Sequence, residues 1–262
     1  MKEKSMTQII FVEGISGVGK STMVRMLSDK LCEKGYTVKS YLEFDYTNPI
    51  DFYCTAYVPK DTYNELCAKY SSCKTVIQRN SIMTSEAVLL RYYDSDTPLF
   101  QEPLLSELKE MEFCYNPVRL VPLDEYTAIY KSVWEDFIAD IDTEIDYYIF
   151  DGSLMHHPIN DMMKNYNVSF ERAACHVDIL LGTLKGINWH VFYLYSDNIE
   201  SQLRCAHTNR KQRTPTEKEI AFWNARYEKD QYVLKKGVLH YHIFNISNNG
   251  WNCVREQILS LL

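Results

Sequence analysis

The sequence predicts an α/β fold in three layers, a sheet with helices on both faces, carrying one long inserted segment. Three observations predict it. Short apolar, β-branched runs alternate along the chain with stretches of helical period. The first of these runs opens directly into a glycine-rich turn and then a helix. The segment from Pro49 to Thr143 shows helical spacing and no clear strand alternation, and it is longer than a crossover between parallel strands needs.

Ile9 to Glu13 is the first strand, followed by Gly14-Ile15-Ser16-Gly17-Val18-Gly19-Lys20-Ser21-Thr22, a match to G-x-x-x-x-G-K-[ST]. Glycines at 14, 17 and 19 let the backbone wrap closely and aim its N–H groups into one concavity at a helix N-terminus, where anions bind. In that pattern Lys20 reaches the β- and γ-phosphates, and the Ser21 hydroxyl sits on the magnesium ion between them. Met23, Val24, Met26, Leu27 and Leu31 supply the helical period that the motif requires next.

The chain has 262 residues, 46% of them hydrophobic, enough for a continuous core, and a net charge of −7. That charge argues against a nucleic-acid or anionic-membrane surface and favours small-molecule partners. Eight cysteines are scattered without a C-x-x-C pair, which reads as free thiols, and no apolar run reaches membrane-spanning length. A cytoplasmic protein is expected, with Met1 to Thr7 as a frayed leader; a homodimer is left open.

After the first helix ends near Gly35, Thr37 to Glu43 reads as the second strand, with Glu43 and Asp45 at the rim where open α/β sheets bind ligands. An ordinary Asp-Asn-Pro turn accounts equally well for either acid. Within the insertion, assigned to 46–144 and expected to be helical and to cover the substrate, Tyr126, Ile129, Tyr130, Val133, Trp134, Phe137 and Ile138 mark one apolar helix face. Arg79, Arg91 and Arg119 are weak candidates for substrate contacts. Asp146 to Ser153 is an aromatic, β-branched strand ending in Asp151, as in a Walker B element, where a carboxylate orients the groups around magnesium. His156 and His157 follow and are read as loop histidines. A helix through Ala173 to Leu184, a strand at Trp189 to Tyr195 and a helix from Asn198 lead to the densest basic cluster, Arg204, Arg210, Lys211 and Arg213. It is read as a lid over phosphoryl groups, spanning 204–216, because a guanidinium stabilises charge on a transferring phosphoryl group. Thr216 to Glu219 has capping-box spacing for a helix running towards Gly237, Tyr241 to Ile246 is the fifth strand, and a turn at Asn248-Asn249-Gly250 precedes the last helix. Without repeats or linkers, one domain spanning 1–262 is expected.

These residues resemble the P-loop kinase superfamily, in its thymidylate-kinase and deoxynucleoside-kinase branch, and also a group of bacterial P-loop proteins with an acid-rich second-strand end. The likeness rests on Val12 to Thr22, with an acid before the first glycine, and on the order of the later parts. It implies a P-loop NTPase fold with five parallel strands in order 2-3-1-4-5. It also implies ATP (or another NTP) and Mg2+ as cofactors. In thymidylate kinases an arginine directly follows the third-strand Asp; here Gly152 stands there, which removes a grip on an acceptor phosphate.

The expected chemistry is transfer of the γ-phosphoryl group of a nucleoside triphosphate to a hydroxyl or phosphate of a small-molecule acceptor. Gly14, Ser16, Gly17, Val18, Gly19, Lys20, Ser21 and Thr22 would hold the nucleotide, with Arg204 and Arg213. Ser21, Asp151 and Glu13 are the metal candidates. Lys20 and Arg210 would stabilise the transition state, and Glu13, Glu43 or Asp45 would be the base. The competing expectation is an ATPase or nucleotide switch without an acceptor, although the chain has neither an Asn-Lys-x-Asp nor a Leu-Ser-Gly-Gly motif.

Overall fold

Ile9, Ile10, Phe11 and Val12 are all fully buried, so the first strand is covered on both faces, the condition of a central strand in a parallel sheet. The computed structural model describes residues 6–85, 87–94, 96–236, 240–247 and 250–262. Gly237 and the Asn248-Asn249 turn lie outside the described residues, as does most of the expected leader. The chain divides into two compact units, 1–43 with 138–163 and 168–262, and 44–137 with 164–167.

The first unit holds five parallel strands, numbered here in chain order: β1 (Gln8–Glu13), β2 (Val38–Tyr41), β3 (Tyr147–Asp151), β4 (Asn188–Tyr195) and β5 (Tyr241–Asn245). Their spatial order is β5-β4-β1-β3-β2, the expected 2-3-1-4-5 read from the other edge. Ile10 pairs with Ile149 on one side and His190 on the other, and Val12 lies level with Asp151. The glycine-loop end of β1 and the acid end of β3 are therefore neighbours by register. The helices of this unit are α1 (Lys20–Glu33), α2 (His156–Asn165, whose last two residues fall in the other unit), α3 (Phe170–Leu181), α4 (Ile199–Asn209), α5 (Glu217–Lys236) and α6 (Trp251–Leu259). Ile10, Val12, Met23, Leu27, Leu31, Ile149, Phe192 and Ile258 are among the residues of one of its apolar clusters. Ser169 caps α3 by accepting the Arg172 N–H at 3.2 Å. The expected capping box forms: Thr216 Oγ1 accepts the Glu219 N–H at 3.3 Å and Glu219 Oε2 accepts the Thr216 N–H at 2.8 Å.

The second unit differs from the helical expectation for 46–144. Thr55–Pro59, Ala87–Arg91 and Ser81–Met83 form a three-stranded antiparallel sheet with Ala87–Arg91 in the middle. Ala87 to Leu90 are all buried, and such a continuous apolar run has no period that separates strand from helix. The helix at Leu123–Ala139 does form, with Tyr126, Ile129, Tyr130, Val133 and Trp134 inward. Phe52, Phe113, Tyr126 and Tyr130 pack there ring against ring, at centroid distances such as 4.6 Å for Phe52 and Tyr130.

One buried group makes the first unit sensitive to acid. Burial in α3 pushes the His176 imidazole down to about 3. Between its ordinary value near 6.5 and that value the unfolded chain takes up a proton that the folded chain refuses, so stability falls as pH falls through this window. At pH 5 this component is about 2 kcal/mol relative to pH 8. Urea midpoints at the two pH values are expected to lie closer together in His176→Gln than in the wild type.

Candidate functional site

The loop between β1 and α1 turns on glycines held at positive φ: 139° at Gly14, 82° at Gly17 and 80° at Gly19. A Cβ on Gly14 would lie 2.4 Å from the Leu194 carbonyl oxygen, and one on Gly19 would lie 2.2 Å from the Trp251 ring, so neither site admits a side chain. Because Gly19 is also the N-cap of α1, no side chain caps that helix and no acid lies in its first turn. The first intrahelical bond runs from the Met23 N–H to the Gly19 carbonyl. The amides of Lys20, Ser21 and Thr22 are thus the ones the helix itself leaves for an anion. Ser16 and Thr22 lie towards solvent, whereas Val18 is fully buried beneath the loop. From α4, Gln202 Nε2 donates to the Gly17 carbonyl at 2.7 Å and ties that helix to the loop.

Ser21 and Asp151 meet as expected. The Ser21 hydroxyl donates to Asp151 Oδ2 at 2.5 Å, and the Glu43 N–H approaches the same oxygen at 3.4 Å. Asp151 is fully buried, and its second oxygen, Oδ1, has no hydrogen-bond partner among the described residues. A sealed carboxylate with one orphaned oxygen beside a serine hydroxyl fits an oxygen-preferring cation such as Mg2+, with Ser21 and Asp151 as the residues to hold it.

Glu13 has a different place from the metal-ligand or base role expected of it. Its Oε1 accepts the N–H groups of Leu154 at 2.9 Å and Met155 at 3.1 Å, and its Oε2 accepts that of His156 at 2.9 Å. The carboxylate thus anchors the chain that leads into α2. Burial raises its pKa to about 7, against the pull of Lys20 and of the three amides. Asp45 likewise departs from the base role. It lies in the second unit, where its Oδ1 accepts the Thr47 N–H at 2.9 Å and hydroxyl at 2.6 Å, the local turn that competes with any such role. Glu43 belongs to the first unit, its carboxylate 3.9 Å from His157 Nε2.

Within 204–216, Arg204 and Arg213 are held in local pairs. Arg204 bonds Glu200 at 2.8 Å and lies 3.7 Å from Glu217, Arg213 grips both oxygens of Glu219 at 2.7 and 2.8 Å, and Arg210 is exposed just after α4. Exposed pairs of this kind are worth about 0–1 kcal/mol and exchange readily for a stronger anion. Arg91, by contrast, is structural, its guanidinium donating to the carbonyls of Tyr46 at 2.5 Å and Asn48 at 2.6 Å inside the second unit.

Sequence reasoning missed a buried group on α2 and α5. His156 and His157 are in the first turn of α2 and not in a loop. His156 Nδ1 lies 2.9 Å from the Gly14 carbonyl and 3.3 Å from Lys20 Nζ, which itself donates to the Ile15 carbonyl at 3.2 Å. Arg226, fully buried on α5, donates to the carbonyls of Met155 at 3.0 Å and His156 at 3.1 Å, to Asn160 Oδ1, and to Asp230 Oδ1 at 2.9 Å. Nothing in the spacing separates Arg226 from an exposed arginine of a charged helix. Glu43, His156 and His157 bring donor atoms within 4.8 Å of one another, but the Lys20 ammonium beside His156 opposes a second cation there.

No protein-family model and no curated protein matches the chain. Among solved structures the chain is similar to a thymidylate kinase from Candida albicans (14% identity, TM-score 0.49, covering 98% of this chain and 91% of that one). A shikimate kinase from Acinetobacter baumannii, in complex with shikimate, gives 14% identity and a TM-score of 0.41 over 98% and 93% of the two chains. A gluconokinase from Sinorhizobium meliloti 1021 gives 10% and 0.38 over 98% of each. Likeness this distant adds nothing to a reading of the chemistry.

The anchoring place of Glu13 has a measurable consequence. Glu13→Ala leaves three amides to find new partners and is expected to destabilise the protein by about 2–5 kcal/mol, with Glu13→Gln costing less. Chemical denaturation of both variants checks this, and a metal-ligand role would show instead as weakened Mg2+ dependence with stability unchanged.

Proposed function

We propose that this chain is an ATP- and Mg2+-dependent phosphotransferase that moves the γ-phosphoryl group to a small-molecule acceptor. The observation that carries the reading is the Ser21–Asp151 pair, with its orphaned carboxylate oxygen, set beside the uncapped start of α1 and Lys20. The amides at the start of α1 and the glycine-rich loop bind the phosphates. Lys20, buried against the Ile15 carbonyl, turns its ammonium towards the β- and γ-phosphates and stabilises charge on the transferring group. Ser21 and Asp151 would hold Mg2+, which when bound would supply neutralisation of phosphate charge. Arg210, free of the glutamate pairs that hold Arg204 and Arg213, is the arginine assigned to the transition state, and Arg204 and Arg213 serve if their pairs open.

Glu43 is the carboxylate assigned to orient or deprotonate the acceptor hydroxyl, since Asp45 is spent on its own turn. The acceptor is neutral or cationic in this reading. Gly152, at φ 74°, stands where an arginine would grip a phosphate, and a Cβ there would lie 2.9 Å from His156 Cβ. With Glu43 at the rim and no such arginine, this part of the site offers an acceptor phosphate no guanidinium to grip it. A nucleoside or an aminoglycoside-like antibiotic fits this better than a nucleotide.

Incubation with ATP, Mg2+ and a panel of nucleosides, nucleotides and aminoglycosides, followed by mass, tests the reading. A product heavier by one phosphoryl group is expected from a neutral or cationic member. Lys20→Ala is expected to lower its formation by about a hundredfold or more with the fold intact. Phosphoryl transfer by Lys20→Ala near the wild-type rate, or ADP release without any phosphorylated product, contradicts it.

A further inference from the structure

His156 is clasped on every side, and the clasp leads to the phosphate loop. The carbonyl of Gly14 can only accept a hydrogen bond, so at 2.9 Å the imidazole Nδ1 must carry the hydrogen. Lys20 Nζ, at 3.3 Å from the same nitrogen, is then a close neighbour and not a donor to it. Burial, with Lys20 and Arg226 nearby, holds the ring well below its ordinary pKa and therefore neutral. One helix, α5, fixes both ends of this residue. Trp223 stacks on the ring at 5.6 Å and 6°, and Arg226, three residues on and so on the same helix face, takes the His156 carbonyl. Glu13 accepts the backbone N–H. α5, the helix that braces His156, begins where the basic segment 204–216 ends, at the Thr216–Glu219 box to which Arg213 is also bonded.

We propose that His156 is a positioning residue of the phosphoryl-transfer site: through its Nδ1–H bond to the Gly14 carbonyl, and braced by Trp223 and Arg226, it fixes the phosphate loop and the direction of Lys20. This rests on the kinase reading above. No bond is made or broken at His156. Its effect is geometric, so it acts on turnover more than on nucleotide affinity. The lid segment and the loop are connected through α5, because the helix that follows the one is the helix that braces the other.

Two substitutions separate the hydrogen bond from mere packing. His156→Leu fills the space but cannot donate, whereas the Asn side chain of His156→Asn places an N–H where Nδ1–H stood. His156→Leu is expected to lower kcat by about ten- to a hundredfold with the KM for ATP changed by less than about threefold, and His156→Asn to recover most of the loss. Thermal melts of both variants confirm that they are folded. Wild-type kcat in His156→Leu, or equal loss in both folded variants, overturns the proposal. So does a KM effect without a kcat effect.

Imidazole 15N shifts of the wild-type protein, with His156 assigned by comparison with His156→Asn, give a reading that needs no turnover. An Nδ1–H tautomer is expected, and an Nε2–H tautomer overturns the proposal. If the wild type transfers phosphate to no acceptor, the kinase reading fails, and the tautomer alone decides whether the bond to Gly14 exists.

Discussion

The end of the sheet that carries the glycine-rich loop depends on one buried carboxylate. Glu13 closes the central strand, is fully sealed from water, and reaches across to three successive amides at 154, 155 and 156. Burying such a group without partners would cost several kcal/mol, so its presence demands that the segment after β3 pass within hydrogen-bond reach. That requirement brings Asp151 to the tip of the neighbouring strand, Gly152 into its positive-φ turn and His156 under Gly14. Arg226 then meets the carbonyls that Glu13 leaves over, and its own charge is met by Asp230, to which Tyr193 also donates at 2.8 Å.

The glycine-loop end of the fold was legible because its signals are local. Glycines at 14, 17 and 19 are demanded by backbone angles that other residues rarely adopt, and Lys20 and Ser21 follow at fixed offsets. Thr216 and Glu219 announce their helix by a box closed within four residues. The central strands β1 and β3 showed as apolar runs because both of their faces are covered. What failed was what depends on distant partners. Ala87 to Leu90 reads equally as helix or strand until Thr55–Pro59 and Ser81–Met83 are placed beside it. Glu13 looked like a metal ligand because the amides it serves are some 140 positions away. Asp45 is the exception, since its partner Thr47 is two residues on, in the local turn that the sequence offers as the equal alternative.

Gly152 joins the tip of β3 to the packing of α2. Its positive φ and the nearness of His156 leave no room for a side chain, so the departure from the thymidylate-kinase pattern follows from the backbone and from the packing of α2. An arginine there would disturb His156 and, through it, Gly14 and Lys20. The same packing that steadies the loop thus excludes a side chain at 152.

The most direct test of the account is the affinity for ATP measured by calorimetry with and without Mg2+, in the wild type and in Asp151→Asn. The account predicts that Mg2+ strengthens binding to the wild type by about tenfold or more and has little effect on Asp151→Asn, because the buried charge beside Ser21 is what holds the metal. Equal Mg2+ enhancement in both proteins, or no ATP binding by the wild type, would contradict it.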